Sequence, residues 1–413
     1  MTEAEGDSEG TPRTPPAPGA GQAGQRGRPS PQRWRYWLRW VALGVSLLIL
    51  VVSGVGWGIY YKLDRNITTD IATALELERH KKERPESAAH AAKNILILGS
   101  DTRSGRNREY GRDSGTARSD TAILLHLSGD RKSATAVSIP RDLMVTIPRC
   151  ARPDGSRTKE QFAQFNWSYE FGGPACAIRT VEKLTRIRMD HHVVVDFKGF
   201  KKIVNAVGGV EVCLTESASD PDSRLNLPAG RQTLKGDDAL AYVRARHGIG
   251  DGSDSERISR QQAFLASLFR KLRSNGVLMN PTKLYPVLDE ATSAITADAG
   301  LNSLTELYDL VRSVRDMPER NVHFRTVPRR PYARNKNRDE LVQPAADWLF
   351  AILRNDRVVD KDAAQEDTGD STDDHRPDGP APVAETPSPH PLATEQGHTA
   401  STDICDERQQ STP

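Results

Sequence analysis

The chain has 413 residues but only 4 cysteines, and no Cys-x-x-Cys pair among them. Paired-cysteine zinc sites and dithiol redox chemistry therefore have no motif to rest on. No glycine-rich loop ends in Lys-Ser or Lys-Thr, which removes a P-loop nucleotide site. His-Glu-x-x-His is missing, and so is a serine nucleophile elbow. His191-His192 lacks ligand spacing and reads as structural. The formal net charge is only +2, and no basic-aromatic platform stands out, so a nucleic-acid partner is not expected. No internal repeat is present. Long apolar runs are also scarce, and the single one is informative.

That run is Val41 to Tyr60, of spanning length and without a charged residue. Trp34, Trp37 and Trp40 flank one end, and Trp57, Tyr60 and Tyr61 the other, as at two membrane interfaces. Arg26, Arg28, Arg33, Arg35 and Arg39 precede it, which places the N-terminus in the cytoplasm. A cleaved signal peptide is the competing reading; its apolar core would be shorter and would end at small residues. The expected organisation is a disordered cytoplasmic tail over 1–40, a transmembrane helix over 41–61 and a charged, alanine-rich stalk over 62–92. An extracytoplasmic domain over 93–354 and a disordered acidic tail over 355–413 complete it. Outside the membrane, disulfides are allowed. Cys150 and Cys176 are placed to pin a loop. Cys213, in Val-Glu-Val-Cys-Leu, reads as a buried small hydrophobe and Cys405 as exposed.

Within the domain, Ile95–Leu98, Ala122–Leu127 and Thr135–Ile139 have strand length and β-branched content. Lys159–Tyr169 is read as helical, as are Pro174–Ile187, Lys198–Val207, Pro281–Ser293, Leu301–Val314 and Asp339–Leu353. His191–Phe197, Val210–Leu214 and Val322–Val327 are read as strands, and Glu216–Leu227 as a polar loop. Strands alternating with helices predict an α/β/α layered domain around a mixed sheet.

Charged residues collect at the strand ends. Asp101 and Arg103 follow the first run, Arg118 and Asp120 precede the second, and Arg141 and Asp142 follow the third. Antiparallel pairing of the first two would bring Asp101 and Asp120 to one edge. Two neighbouring carboxylates repel unless one is protonated or a cation lies between them. Carboxylates suit a hard cation such as Mg²⁺, and arginine forks match phosphate oxygens. Each member has a plainer reading as a turn cap, a local ion pair or a solvated helix end.

In order, Gly-Ser-Asp-Thr-Arg, Ala-Arg-Ser-Asp-Thr, Ser-Ile-Pro-Arg-Asp, Val-Gly-Gly-Val-Glu-Val, Ala-Leu-Ala-Tyr-Val-Arg-Ala-Arg and Arg-Ile-Ser-Arg-Gln-Gln resemble the LytR-CpsA-Psr family over about Asn94–Leu272. The cysteine placement and the Arg-Ala-Arg-His loop point to its actinobacterial branch. The resemblance implies an enzyme that moves a glycopolymer from a polyprenyl-pyrophosphate carrier to peptidoglycan at the outer face of the membrane. It implies that Asp101 and Asp120 hold Mg²⁺ (or Mn²⁺) and that Arg118, Arg141, Arg244 and Arg246 bind phosphates. Arg257, Arg260 and Gln261 would complete the head-group pocket, with Asp254 orienting the arginines. Arg103 matches a motif position without a clear role. Asp101, Asp120 and Arg141 form the implied catalytic set. Phe162, Phe197, Phe200 and Phe264 would line a lipid tunnel; their plainer reading is core. Two other functions fit the same residues: a lipid-binding regulator without turnover, and a pyrophosphohydrolase using water.

Overall fold

Runs of β-branched and aliphatic residues set the centre of the molecule. The structure is a computed structural model and describes residues 31–87, 91–101, 119–250, 252–274, 281–315, 317–358 and 397–401. The chain divides into two units, Met1–Gly58 and Ile59–Pro413. Helix α1 (Pro31–Asn66) begins the description. Its stretch Trp34–Asn66 is long and apolar enough to cross a membrane. The helix extends past both ends of the apolar run, so residues 31–40 are helical rather than part of a disordered tail.

In chain order the second unit contains β1 (Thr68–Thr69), α2 (Ile71–Arg79), β2 (Lys93–Ser100), β3 (Ser119–Leu127), β4 (Ala134–Ile139), β5 (Met144–Ile147) and β6 (Gln161–Gln164). Next come α3 (Asn166–Thr185), β7 (His191–Asp196), α4 (Phe197–Ala206), β8 (Val210–Leu214), β9 (Ala218–Asp220), β10 (Leu225–Leu227), β11 (Gly230–Leu234) and α5 (Gly236–Arg244). It continues with α6 (Asp254–Ser274), α7 (Pro281–Ala294), β12 (Ile295–Ala297), α8 (Leu304–Arg315), β13 (Val322–Thr326), β14 (Arg329–Tyr332), β15 (Asn335–Leu341), α9 (Ala345–Arg354) and β16 (His398–Thr399).

The central sheet has the order β1-β12-β7-β2-β3-β4-β13-β16 and is mixed. β2 pairs antiparallel with β3 and parallel with β7, and β4 pairs parallel with β13. Alternation along the strands divides the side chains between two faces. Leu96, Leu98, Leu124 and Val137 pack against Ile178 and Val181 of α3 and Phe350 of α9. Ile95, Ile123 and Ala136 face the other way, toward Ala266 of α6. The layering is thus the α/β/α arrangement expected from the strand–helix alternation. Val204, Val210, Val212, Leu234, Tyr242 and Phe264 form a further core under α4, α5, α6 and the β8–β11 hairpin.

Several local expectations change. Gln161–Gln164 is a strand, not part of a helix, because it pairs with Met144–Ile147, and helix begins only at Asn166. α3 kinks at Gly172-Gly173, where a Cβ on Gly172 would lie 2.7 Å from the Ala151 carbonyl oxygen and 3.2 Å from Cys150 Cβ. Cys150 and Cys176 form the disulfide at this crossing. Cys213 is also disulfide-bonded and only half-buried, so it is not a core hydrophobe; Cys405 lies outside the described residues. Residues 218–220 and 225–227, read as loop, pair as a short hairpin. Asp339–Leu341 belongs to the β14–β15 hairpin, and the closing helix starts only after Pro344. The segment read as a stalk packs into the domain: β1 pairs with β12, Leu63 and Ile67 are buried, and Arg84 forks onto Glu182 with Nη2–Oε1 2.7 Å. Residues 397–401 return to the sheet edge through β16, and Ala400 is fully buried, so this part of the acidic tail is ordered.

Candidate active site

The β2–β3 register sets the site. Ser100 pairs with Ser119, with a bulge at Gly99/Ser100, so Asp101 and Asp120 emerge at the same end of two neighbouring strands. Arg141 follows β4, antiparallel to β3, at that same end. Its Nη1 donates to Asp120 Oδ1 at 3.0 Å and its Nε to Asp142 Oδ2 at 3.2 Å. Burial disfavours the Arg141 charge, but Asp142 and Asp120 outweigh it and its pKa rises. Asp142 also accepts from Gln164 Nε2 at 2.7 Å and Arg338 Nη1 at 3.4 Å. Arg141 is thus held from two sides rather than left on a flexible turn.

α5 and α6 supply the facing cations. Arg244 ends α5 with its guanidinium 4.3 Å from the Phe197 ring centroid, a cation–π distance. Arg246 is exposed, but its backbone is anchored: the Arg246 N–H donates to Asp220 Oδ2 at 2.8 Å and the His247 N–H at 3.3 Å. Arg257 is buried, at 7% exposure, and pairs with Asp254. Burial pushes its pKa down; Asp254 opposes this, while Arg141 and Arg246 add to it. Arg257 thus lies within electrostatic reach of Arg141 and Arg246 as well as of Asp254 and Asp120. Gln261 Nε2 donates to the Val243 carbonyl at 3.0 Å while lining the cavity.

Arg260 departs from the expected pocket role. It does not line the cavity; it is buried, donates to the Ala245 carbonyl and lies over the Tyr242 ring. It therefore fixes the turn that carries Arg244 and Arg246. Arg103 and Arg118 lie outside the described residues.

These groups border a cavity of about 850 Å³. Beyond the charged mouth its wall is apolar: Ile97, Ile123 and Val195 from the sheet, Phe200 and Ile203 from α4, and Phe264, Leu265 and Leu268 from α6. Protein interiors pack like organic crystals, so a space of this size with a charged mouth and an apolar wall is a candidate ligand pocket rather than a packing defect. Phe197, Phe200 and Phe264 line it; Phe162 does not, lying 55% exposed on β6.

Asp220 and Arg338 had escaped the sequence reading. Asp-Pro-Asp-Ser at 220–223 is a turn signal that could have marked Asp220, and the basic run 329–338 could have marked Arg338. His191 and His192 each meet a carboxylate, Asp298 at 3.1 Å and Asp70 at 3.4 Å, and tie sheet strands to their edges. Among the described residues no group of three or more His, Cys, Asp or Glu could hold a metal. Asp101 and Asp120 are two carboxylates at one end of the sheet, and Mg²⁺ typically takes one or two carboxylates and completes its shell with phosphate oxygens and water.

Fold and cavity together define an α/β/α domain built to hold a ligand with an anionic head and an apolar body. The family model described as the LytR_cpsA_psr family matches residues 59–355, and the chain belongs to that family. It is 34% identical to the cell wall biosynthesis protein LcpA of Corynebacterium glutamicum over 70% of this chain and 59% of that protein. It is 30% identical to the polyisoprenyl-teichoic acid–peptidoglycan teichoic acid transferase TagU of Enterococcus faecalis over 60% of this chain and 74% of that protein. Among solved structures, the LytR-Csp2A-Psr enzyme of Actinomyces oris shares the fold, with TM-score 0.52 and 24% identity, covering 65% of this chain and 93% of that one.

Proposed function

We propose that the protein is a membrane-anchored phosphotransferase that moves a glycopolymer from a polyprenyl-pyrophosphate carrier to peptidoglycan. The observation that carries this reading is the cavity whose arginine- and carboxylate-lined mouth opens onto an apolar wall. A pyrophosphate suits the mouth and an isoprenoid chain suits the wall. The printed names of relatives, which include teichoic acid transferases and a cell wall biosynthesis protein, support the same reaction class.

Arg141, Arg244, Arg246 and Arg257 would neutralise the two phosphates, with Arg118 and Arg103 as further candidates from the motif. Asp101 and Asp120 would hold Mg²⁺ or Mn²⁺, which when bound adds positive charge at the phosphate oxygens. A sugar hydroxyl of peptidoglycan attacks the glycopolymer-proximal phosphorus. The bond from that phosphorus to the bridging oxygen breaks, polyprenyl phosphate departs, and Asp101 would take the hydroxyl proton. Fixed positive charge at a site where negative charge develops supplies most of the acceleration. Arginines before the apolar run favour a cytoplasmic N-terminus and an extracytoplasmic domain, a compartment suited to the Cys150–Cys176 bridge.

Asp120→Asn tests this against a non-catalytic lipid-binding regulator. With full-length protein in detergent and a lipid-linked glycopolymer, transfer should fall at least about a hundredfold while lipid binding persists. Unchanged transfer would remove Asp120 from the reaction. Product analysis separates transfer, which leaves a glycan-linked phosphodiester, from hydrolysis by water.

A further inference from the structure

Among the described residues that line the cavity, one buried side-chain acceptor receives no hydrogen bond. Asn166 lines the cavity at 6% exposure, and its side-chain Oδ1 receives no hydrogen bond. Its backbone N–H donates to the Arg141 carbonyl at 3.0 Å, so the residue is fixed beside the reacting centre. A phosphate cannot satisfy this oxygen, because an ionised phosphate only accepts. A ligand bearing hydroxyl or amide donors can, and until one arrives the buried acceptor has lost its water without a replacement.

Beside Asn166 the surface changes character. Trp167, which also lines the cavity, is 38% exposed and meets Phe171 edge-on with ring centroids 6.0 Å apart. Gln164 lines the cavity from β6, and Phe162 shares its face of that strand by alternation. Phe162 is 55% exposed and packs edge-on against Tyr332 at 6.1 Å. Tyr332 belongs to the β14–β15 hairpin, which also presents Arg330, Arg334 and Lys336 on the surface and Asn337 and Arg338 at the cavity. Water-exposed aromatic faces beside hydroxyl-seeking acceptors are the chemistry that reads sugars. A pyranose offers a C–H face to the negative face of a ring and hydroxyls to its surroundings.

We propose that Asn166, Trp167 and the Phe162–Tyr332 pair form the acceptor-glycan site, binding a peptidoglycan strand whose peptide carboxylates meet the basic β14–β15 hairpin. Asn166 Oδ1 takes a hydrogen bond from the sugar nearest Arg141, and the aromatic pair holds the strand further out. The proposal rests on the transfer reading for its choice of glycan source.

The test uses full-length protein and two separate probes: glycopolymer-free, uncrosslinked peptidoglycan strands, and polyprenyl pyrophosphate. The double variant Phe162→Ala with Tyr332→Ala should bind strands about tenfold more weakly, the usual scale for losing exposed aromatic anchors. It should keep its affinity for polyprenyl pyrophosphate, and Phe162→Trp should retain strand binding. Asn166→Ala should raise KM for the strand acceptor more than it lowers kcat. Wild-type strand affinity in the double variant overturns the proposal. So does an equal loss for both probes, which would assign the aromatics to the donor. Strand binding reads this site and lipid binding reads the function beneath it, so the two fail separately.

Discussion

Replacing Asp220 by asparagine should loosen the turn that presents Arg244 and Arg246. The Asp220 carboxylate is buried, at 1% exposure, and accepts backbone N–H groups from Arg246 at 2.8 Å, Asp222 at 3.0 Å and His247 at 3.3 Å. Asparagine keeps one acceptor oxygen and turns an NH₂ toward donors on the other side. Hydrogen bonds to a charged group contribute about 1.5–3 kcal/mol each, so losing one together with the charge should cost roughly 2–4 kcal/mol. For a domain of this size that is a fall in Tm of about 5–10 °C. If half of the loss appears at the ligand, polyprenyl pyrophosphate should bind about tenfold more weakly. The pH dependence adds a second reading. Burial works to raise the Asp220 pKa, but the backbone donors of Arg246, His247 and Asp222 outweigh it and the pKa is lowered. A carboxyl depressed on folding contributes stability that is complete above its unfolded value, about 3.9, and is lost as pH falls through the folded value. The gap in Tm between wild type and Asp220→Asn should therefore be full at neutral pH and close in acid. Calorimetry across pH, paired with a lipid-binding titration, reads both. Equal Tm and equal affinity at pH 7 would refute the claim that Asp220 holds the arginine turn.

Arg141→Ala should lower transfer by about a hundredfold or more with little change in Tm, because Asp142 retains Gln164 and Arg338 and Asp120 reaches solvent; a variant of normal rate would remove this guanidinium from the mechanism. Arg84→Ala should destabilise the domain by about 3–5 kcal/mol, since Glu182 is 3% exposed and would be left as an unpaired buried charge; denaturant titration checks it, and a neutral result would detach the segment before Ala92 from the fold. Replacing Cys150 and Cys176 by serine frees a crosslink between residues 26 apart and should cost roughly 3 kcal/mol, read as a lower Tm than that of the oxidised wild type.

The sheet and the first half of the site were legible because their signals are local. β2, β3 and β4 are β-branched runs ending in charged residues, and the antiparallel arrangement that would bring those ends together is the one they adopt. α4 and its Gly208-Gly209 stop, both with positive φ, were equally plain. The hairpins were not. β6, β9, β10, β14 and β15 are short, polar or basic, and they exist because each finds a partner strand, which composition does not report. Arg338 and Asp220 reach the site only through those hairpins. Arg260 shows the opposite failure: a motif arginine reads as a phosphate ligand, yet its buried guanidinium is committed to the Ala245 carbonyl.

The Ser100↔Ser119 pairing has a consequence for how the protein tolerates change. The two carboxylates are positioned by strand register, which the β2–β3 ladder fixes whatever the length of chain between the strands. Lengthening such a connection costs only about 0.6 kcal/mol per doubling. Residues inserted between the strands, away from Arg103 and Arg118, can therefore lengthen the connection while the two carboxylates stay where the ladder put them.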